Sequence, residues 1–209
     1  MSNRFYRNFG KRMLDVAAAL LLLPLVLLAV VFVAPLTWLS DRGPVLYMST
    51  RRGRNGRHFS MYKFRSMKVD APDVRNADGS TVNSDDDPRV TKIGRLLRLT
   101  SVDELPQVWN VLRGDMSFVG PRPNMTRQSW DELTPIERKR VVVRPGITGL
   151  AQARHRNAAT TAMKYRIDAE YVDHVSFALD ARIIGWTVRS VVRARNVNTR
   201  SAPESSATQ

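Results

Sequence analysis

The sequence predicts a mostly α-helical protein with a small β-hairpin, held at a membrane by its N-terminal segment. Residues 16–39 form an apolar run without a charged side chain. At about 1.5 Å per residue, a straight helix of this run spans roughly 36 Å, more than the hydrocarbon core of a bilayer. Asn55-Gly56 between β-favouring segments predicts the hairpin. Apolar side chains recur at helical spacing from residue 93 onwards, which predicts the remaining helices.

The apolar run is expected to enter the bilayer and return. Pro24 removes one helical hydrogen bond, which predicts a break or bend at that residue. Four basic residues lie in 4–12 and six more in 42–63, and Lys and Arg collect on cytoplasmic flanks. A re-entrant helix-break-helix keeps both clusters on the cytoplasmic face. A single-pass anchor is the alternative; a signal peptide is disfavoured, since the run is long and no small-residue cleavage pattern follows it.

After the apolar run, the sequence predicts the hairpin and then a mobile loop. Residues 45–67 are expected to form two short strands joined by a two-residue turn at Asn55-Gly56. Residues 69–89 are poor in apolar groups and rich in Asp, Asn, Gly and Ser, which predicts the loop. Its acidic triplet at 85–87 carries ligands suited to a cation, although such triplets are more often solvated.

Two helices with clear end signals follow the loop. Ser101 or Asp103 is suited to cap the first, and Gly114 is suited to end it. The sequence T-P-I-E at 134–137 is a capping box that opens a second, basic helix through Val142. Residues 144–149 are expected to form a turn.

The end of the chain predicts amphipathic helices and a tail. One helix is expected to begin near Thr160. Another, within 178–195, combines apolar and arginine side chains around Trp186, a pattern typical of helices in a membrane interface. We therefore divide the chain into a re-entrant membrane hairpin with a basic lead-in over 1–40, a cytoplasmic domain packed on the membrane surface over 41–195 and a disordered tail over 196–209.

Composition narrows the classes of partner and chemistry. Lys and Arg number 33 against 19 Asp and Glu, for a formal net charge of +14, which favours phospholipid head groups, nucleic acid or phosphorylated substrates. Cysteine is absent, which excludes disulfides, thiol nucleophiles and cysteine metal sites and agrees with a cytoplasmic location. The three histidines are far apart, and dinucleotide, P-loop and H-E-x-x-H motifs are missing from the sequence.

The adjacent acids Asp103 and Glu104, with arginines on both sides, are the candidate chemical centre. One interpretation is structural, because acids are favoured at helix starts for capping and for the helix dipole. The other is catalytic: one carboxylate acts as a nucleophile and its neighbour helps to hold a divalent cation, while arginines neutralise a diphosphate.

Several motifs together resemble the bacterial sugar transferases, or monotopic phosphoglycosyl transferases. The motifs are K-R-x-x-D at 11–15, D-x-G-P-V at 41–45, K-F-R-S-M at 63–67, the block from V-D-E-L-P-Q to G-P-R-P at 102–123, R-P-G-I-T-G-L-A-Q at 144–152, and the pairs Tyr171-Val172 and Leu179-Asp180. The resemblance covers roughly residues 10–192. The 102–123 block is highly specific, whereas the late pairs are individually weak.

The resemblance implies transfer of a sugar phosphate from a UDP-sugar to polyprenyl (undecaprenyl) phosphate, with release of UMP, as the first membrane step of glycan assembly. It makes Asp103 the nucleophile of a covalent aspartyl-phosphosugar intermediate and Glu104, with Asp103, the ligand of Mg²⁺. Lys63, Arg98 and Arg122 match basic positions that contact phosphates. The implied location is the cytoplasmic face of the bacterial inner membrane, where anionic lipids are neighbouring partners. Nucleic acid is not expected as a partner. The oligomeric state is left open, with a homodimer as one alternative.

Two positions depart from the family pattern. Leu23 stands before Pro24 where the family usually has Ser, which removes a hydroxyl that could satisfy the opened backbone. Residues 154–157 read R-H-R-N where N-G-R-N is usual, and this loop is expected to help choose the sugar. The competing hypothesis is a non-catalytic, membrane-tethered basic module that binds anionic lipid or nucleic acid. Such a module gains nothing from an acidic pair among arginines.

Overall fold

The computed structural model describes residues 5–74, 87–126, 128–155 and 159–192. The helices are α1 Lys11–Asp41, α2 Lys92–Thr100, α3 Gln107–Arg113, α4 Pro135–Arg140, α5 Leu150–His155, α6 Thr161–Asp173 and α7 Phe177–Val192. The strands are β1 Leu46–Arg52, β2 His58–Phe64, β3 Ser117–Val119 and β4 Gly146–Thr148. The described part is mostly helical with small sheets, as predicted. Three predicted parts lie outside the described ranges: the tail at 196–209, most of the loop at 69–89, and residues 156–157 of the segment that departs from the family pattern.

Helix α1 is continuous over 31 residues and contains both Pro24 and Pro35. The predicted helix-break-helix is therefore not confirmed, since the backbone stays helical on both sides of Pro24. A proline removes one donor, and a long apolar helix tolerates that loss because neighbouring groups can satisfy the freed carbonyl. Within the described residues, Tyr6–Asp41 is the one helical stretch long and apolar enough to cross a membrane.

Helix α1 has one face packed on the rest of the protein and one apolar face exposed. The buried positions recur at spacings of four or seven residues and are Asp15, Ala19, Val26, Val33 and Thr37. Val26 lies in a cluster with Val108 and Val111 of α3, and Val33 lies in another with Phe64 of β2. Leu21, by contrast, is 81 % exposed. The helix thus rests along the globular domain and presents apolar side chains on its other side.

Strands β1 and β2 form the predicted antiparallel hairpin, but its loop is longer than predicted. Arg52 pairs with His58, so the loop covers residues 53–57 rather than two residues. Asn55 and Gly56 both adopt positive φ, 55° and 79°, as the Asn-Gly sequence indicates. The loop thus includes two residues before Asn55 and one after Gly56. Trp130 packs against Gly56, where a Cβ would lie 2.6 Å from its ring.

The predicted turn at 144–149 contains a strand. Strand β4 pairs in parallel with β3. A Cβ on Gly146 would lie 2.1 Å from the backbone nitrogen of Gly120, so glycine permits this close approach. Strands of three residues carry too little alternation to be visible in a sequence.

The local helix signals are largely confirmed. Thr134 and Glu137 form the capping box of α4, although this helix ends at Arg140 instead of Val142. Thr160 accepts a hydrogen bond from the backbone of Met163 and caps α6. The division of the chain at residues 40 and 195 stays a prediction.

Candidate active site

The acidic pair lies in a 3-10 turn, Val102–Glu104, between α2 and α3. Ser101 turns the chain with φ of 58°, and α3 begins only at Gln107, after Pro106. No side-chain hydrogen bond caps the start of the 3-10 turn or the start of α3. The predicted capping roles of Ser101 and Asp103 are therefore wrong, because the turn separates the acids from the first helical residues. This leaves both carboxylates available to other partners.

Lys63 supplies the closest positive charge. Its Nζ donates to Oε1 of Glu104 at 2.7 Å and lies 3.8 Å from Oδ2 of Asp103. The amide of Asn110, one turn into α3, fixes this register: it accepts from the backbone of Tyr62 at 3.1 Å and donates to the carbonyl of Ser60 at 2.7 Å. Strand β2 is thereby fastened to the helix that follows the acidic pair.

Two arginines complete the cluster. Nη1 of Arg122 lies 3.6 Å from Oε1 of Glu104, and the Arg122 side chain is about half exposed. Arg98, on α2, donates from Nε to Oγ of Ser66 at 2.9 Å, and its charge lowers the pKa of Asp103. The structure thus brings together all the predicted polar residues, whereas Pro24 lies in the middle of α1.

The two acids differ in their electrostatics. Burial raises the pKa of Asp103; Lys63 opposes this rise, and the negative charge of Glu104 adds to it. Burial alone would also raise the pKa of Glu104, but the charges of Lys63 and Arg122 outweigh it and hold that pKa below its ordinary value. Two carboxylates whose pKa values are pushed apart are suited to different chemical roles.

The donor set fits a divalent cation completed by a substrate. Across the described ranges no three acidic or histidine side chains gather as a metal cage. Mg²⁺ commonly takes one or two carboxylates together with phosphate oxygens, which is the kind of site that Asp103 and Glu104 offer. Asp87 of the predicted cation triplet is instead buried and ion-paired with Arg89 at 2.7 Å, while residues 85 and 86 lie outside the described ranges.

Sequence reasoning missed several residues that shape the site. Asn110 fastens β2, and Ser66 holds Arg98. Gln107 is buried, and within the described protein its Nε2 has no hydrogen-bond partner. All three lie inside the quoted motifs, so the motifs carried the signal, but the contacts of Ser66 and Asn110 span 32 to 50 positions and could not be assigned from sequence.

The remaining motif residues anchor α1. Asp180 is buried and accepts from Tyr171 at 2.8 Å, from Tyr6 at 2.7 Å and from Lys11. Asp15 accepts from Oγ of Ser117 at 3.0 Å. These contacts give the K-R-x-x-D motif and the late pairs a structural role at the N-terminal end of α1.

Comparison with known proteins gives relatives of similar sequence over most of the chain. The chain is 39 % identical over 202 residues to the galactosyl transferase CpsE of Streptococcus agalactiae, 40 % over 187 residues to an uncharacterized sugar transferase, EpsL, of Bacillus subtilis, and 42 % over 202 residues to a UDP-glucose:undecaprenyl-phosphate glucose-1-phosphate transferase of Caulobacter vibrioides. These matches cover 91 %, 90 % and 90 % of this chain.

The relatives differ in length. The chain spans 44 % of the streptococcal protein, 89 % of the Bacillus protein and 72 % of the Caulobacter protein. The family model for the bacterial sugar transferases matches residues 6–194, which include the acidic pair, Lys63 and both arginines of the site. On this match, the chain belongs to the bacterial sugar transferase family.

Proposed function

We propose that the protein transfers a sugar 1-phosphate from a UDP-sugar to polyprenyl phosphate and releases UMP. The observation that carries the proposal is the acidic pair held among Lys63, Arg98 and Arg122. A diphosphate donor is anionic, so attack by a carboxylate needs positive charge placed before the reaction. The name of the Caulobacter relative describes transfer of this kind.

Asp103 is the proposed nucleophile. In the first step, one of its carboxylate oxygens attacks the phosphorus that bears the sugar; a P–O bond to Asp103 forms, the P–O bond to UMP breaks, and UMP leaves with the electron pair. In the second step, a phosphate oxygen of the polyprenyl acceptor attacks the same phosphorus. The bond to Asp103 breaks, which yields the polyprenyl-diphosphate sugar and restores the carboxylate.

The basic residues have the proposed role of phosphate ligands. Lys63 and Arg122 both contact Glu104 through Oε1, at 2.7 and 3.6 Å. Arg122 is about half exposed, which leaves its guanidinium free to reorient towards a phosphate. Arg98 is more deeply placed, and burial lowers its pKa, although a guanidinium keeps its charge at neutral pH.

Glu104 and Asp103 would hold Mg²⁺ between protein and donor. When bound, the cation would neutralise charge on the diphosphate and so favour departure of UMP. The low pKa of Glu104 supports this role, because a metal ligand must be ionised.

The membrane arrangement that we propose is monotopic, on the cytoplasmic face. Near its start, Asp15 of α1 bonds to Ser117, and at its end Asp41 pairs with Arg65 of the same domain. A helix that crossed the bilayer would leave one of these ends on the far side. The contacts at both ends therefore support a re-entrant or surface-lying α1, with its exposed apolar face in lipid.

Helix α7 is the proposed second membrane contact. Ile184, Trp186 and Val188 are exposed, and Arg182 and Arg189 lie on the same helix. Arginines beside exposed apolar side chains suit a layer of anionic head groups. The polyprenyl acceptor would then meet the site at the membrane surface.

The test is UMP release by the full chain in lipid nanodiscs that contain polyprenyl phosphate, with Mg²⁺ and a panel of UDP-sugars. At least one UDP-sugar is expected to yield UMP, and Asp103→Asn is expected to abolish the yield. Asp173→Asn, at an acid half exposed on the surface, is the matched control and should keep full activity. Full turnover by Asp103→Asn would exclude Asp103 as the nucleophile; salt-sensitive binding of anionic vesicles without UMP release would favour the non-catalytic module.

A further inference from the structure

The segment at residues 63–66, where β2 ends, joins the membrane helix to the active site. Lys63 contacts the acidic pair through Glu104 at 2.7 Å. The next residue, Phe64, is almost completely buried and lies in one hydrophobic cluster with Val33 of α1. Neighbouring residues of one short segment thus contact the catalytic centre and the membrane helix.

Arg65 fixes this segment to the C-terminal end of α1. Its buried guanidinium donates to the carbonyl of Thr37 at 3.3 Å, donates to the carbonyl of Pro44 and pairs with Asp41. Asp41 also accepts from the backbone of Val69 at 3.1 Å. One planar side chain therefore holds the last turn of α1, the turn after it and the end of β2 in a single arrangement.

Ser66 extends the same arrangement to α2. Its Oγ accepts from Nε of Arg98 at 2.9 Å, and its carbonyl accepts from the backbone of Thr91 at 3.1 Å. A Cβ on Gly94 would lie only 1.9 Å from that carbonyl oxygen, so the first turn of α2 is packed directly on Ser66. Any shift of residues 63–66 would move Lys63 and Arg98 together.

We propose that Arg65 is a positioning residue for the transfer reaction, which sets the place of Lys63 beside the acidic pair by fixing β2 to the end of α1. This inference rests on the proposed function. A displacement of about 1 Å in a catalytic constellation can cost about a hundredfold in rate. Lys cannot replace the fork of a guanidinium that bonds to several oxygens at once. The packing of α1 against residues 63–66 would thereby control the alignment of Lys63 with the acidic pair.

The first test measures the first turnover of UMP release, with UDP-sugar in excess over enzyme and no polyprenyl phosphate, so that each competent molecule releases one UMP. Arg65→Lys is expected to lower the rate constant on the order of tenfold or more, with the amplitude unchanged. A purely structural role would lower the amplitude, which counts competent molecules, and leave the rate constant at the wild-type value. Arg52→Lys is the matched control: Arg52 is equally buried, on the partner strand, and bonds to the carbonyl of Gln128. Its rate constant should equal that of the wild type.

The second test is a double-mutant cycle with Lys63→Met. If Arg65 acts through Lys63, Arg65→Lys has little further effect on the rate constant in the Lys63→Met protein. Equal effects in both backgrounds would overturn the inference. Asp41→Asn removes the ion pair with Arg65 and keeps the carbonyl contacts of Arg65. If Arg65→Lys does not fold, Asp41→Asn replaces it in the double-mutant cycle with Lys63→Met. A wild-type chain that releases no UMP would instead refute the proposed function.

Discussion

Two buried charge clusters in this protein differ in how completely their groups are paired. Arg140 and Asp168 form a closed pair: the guanidinium contacts Oδ2 of Asp168 at 2.7 and 3.1 Å, and its other donors reach Asn124 and the carbonyl of Arg122. In the acidic turn, Lys63 stays 3.8 Å from Asp103. Saturated pairing indicates a structural cluster, and incomplete pairing indicates a site that awaits a ligand.

Burial alone does not separate the two clusters. It raises the pKa of Asp168 as it raises that of Asp103, and in both cases nearby cations lower the pKa in part. What differs is the cation: Arg140 is almost wholly enclosed, whereas Arg122 is about half exposed beside Glu104. A solvent-facing cation can turn from a carboxylate to a phosphate, and an enclosed one cannot.

The largest expected effect is on the closed pair. Asp168→Ala leaves a buried guanidinium without its counter-charge and should lower the free energy of unfolding by about 3–5 kcal/mol. Thermal unfolding in a fixed detergent measures this loss. The rate constant per folded molecule should stay near the wild-type value. A variant as stable as the wild type would show that the closed cluster has no structural role.

The cluster around Asp103 and Glu104 is expected to respond in the opposite way, with a large loss of activity and little loss of stability. Arg122→Met should lower kcat/KM for UMP release by about a hundredfold, because one preorganised cation is lost from the developing negative charge. Its stability should change by no more than about 0.5 kcal/mol, since the side chain is half exposed. Paired assays of turnover and melting temperature decide this. Equal losses of stability for Arg122→Met and Asp168→Ala would remove the distinction between the clusters.

A smaller effect is expected in the pH dependence. Asp103 must be ionised to attack, and its pKa is raised, so kcat/KM should fall on the acid side at a pH above the ordinary aspartate value of about 3.9. Arg122 lowers that pKa, so Arg122→Met should move the acid limb to higher pH. A pH profile of each protein measures the shift. A limb that moved to lower pH would contradict the assignment.

The smallest expected effect is at the first turn of α4, the helix whose last residue is Arg140. Thr134→Ala removes the cap of α4 and should cost about 1 kcal/mol of stability without altering kcat/KM. Denaturant titration measures the stability change. A change in kcat/KM larger than the stability loss would show that α4 contributes to the site after all.

The sequence predicts features with local causes and misses those that depend on distant contacts. The Thr134-Glu137 capping box and the positive φ of Asn55 and Gly56 follow from residue type and spacing. The pairing of β3 with β4 does not, because each strand has only three residues and its partner lies about thirty positions away. The five-residue hairpin loop brings Gly56 against Trp130, a contact with a distant residue that no local pattern contains.

The same division applies to the site. The acidic pair is identifiable from residue type and its arginine surroundings, but the residues alone favoured a capping role that the 3-10 turn excludes. The family resemblance assigns Lys63 to phosphate contact, but its contact with Glu104 needed the structure, because forty-one positions separate the two in sequence. Arg65 and Ser66 were within a quoted motif, yet their roles needed the observed contacts with α1 and α2.

The central claim is that the carboxylate of Asp103 bonds to the phosphorus of the donor. Intact-protein mass spectrometry after incubation with a UDP-sugar and Mg²⁺, without polyprenyl phosphate, measures this directly. We predict a mass gain equal to one sugar phosphate less one water, which peptide mapping locates on the peptide that contains Asp103 and which is lost when polyprenyl phosphate is added. Release of UMP at the wild-type rate with no such adduct, or an adduct that persists in Asp103→Asn, would contradict it.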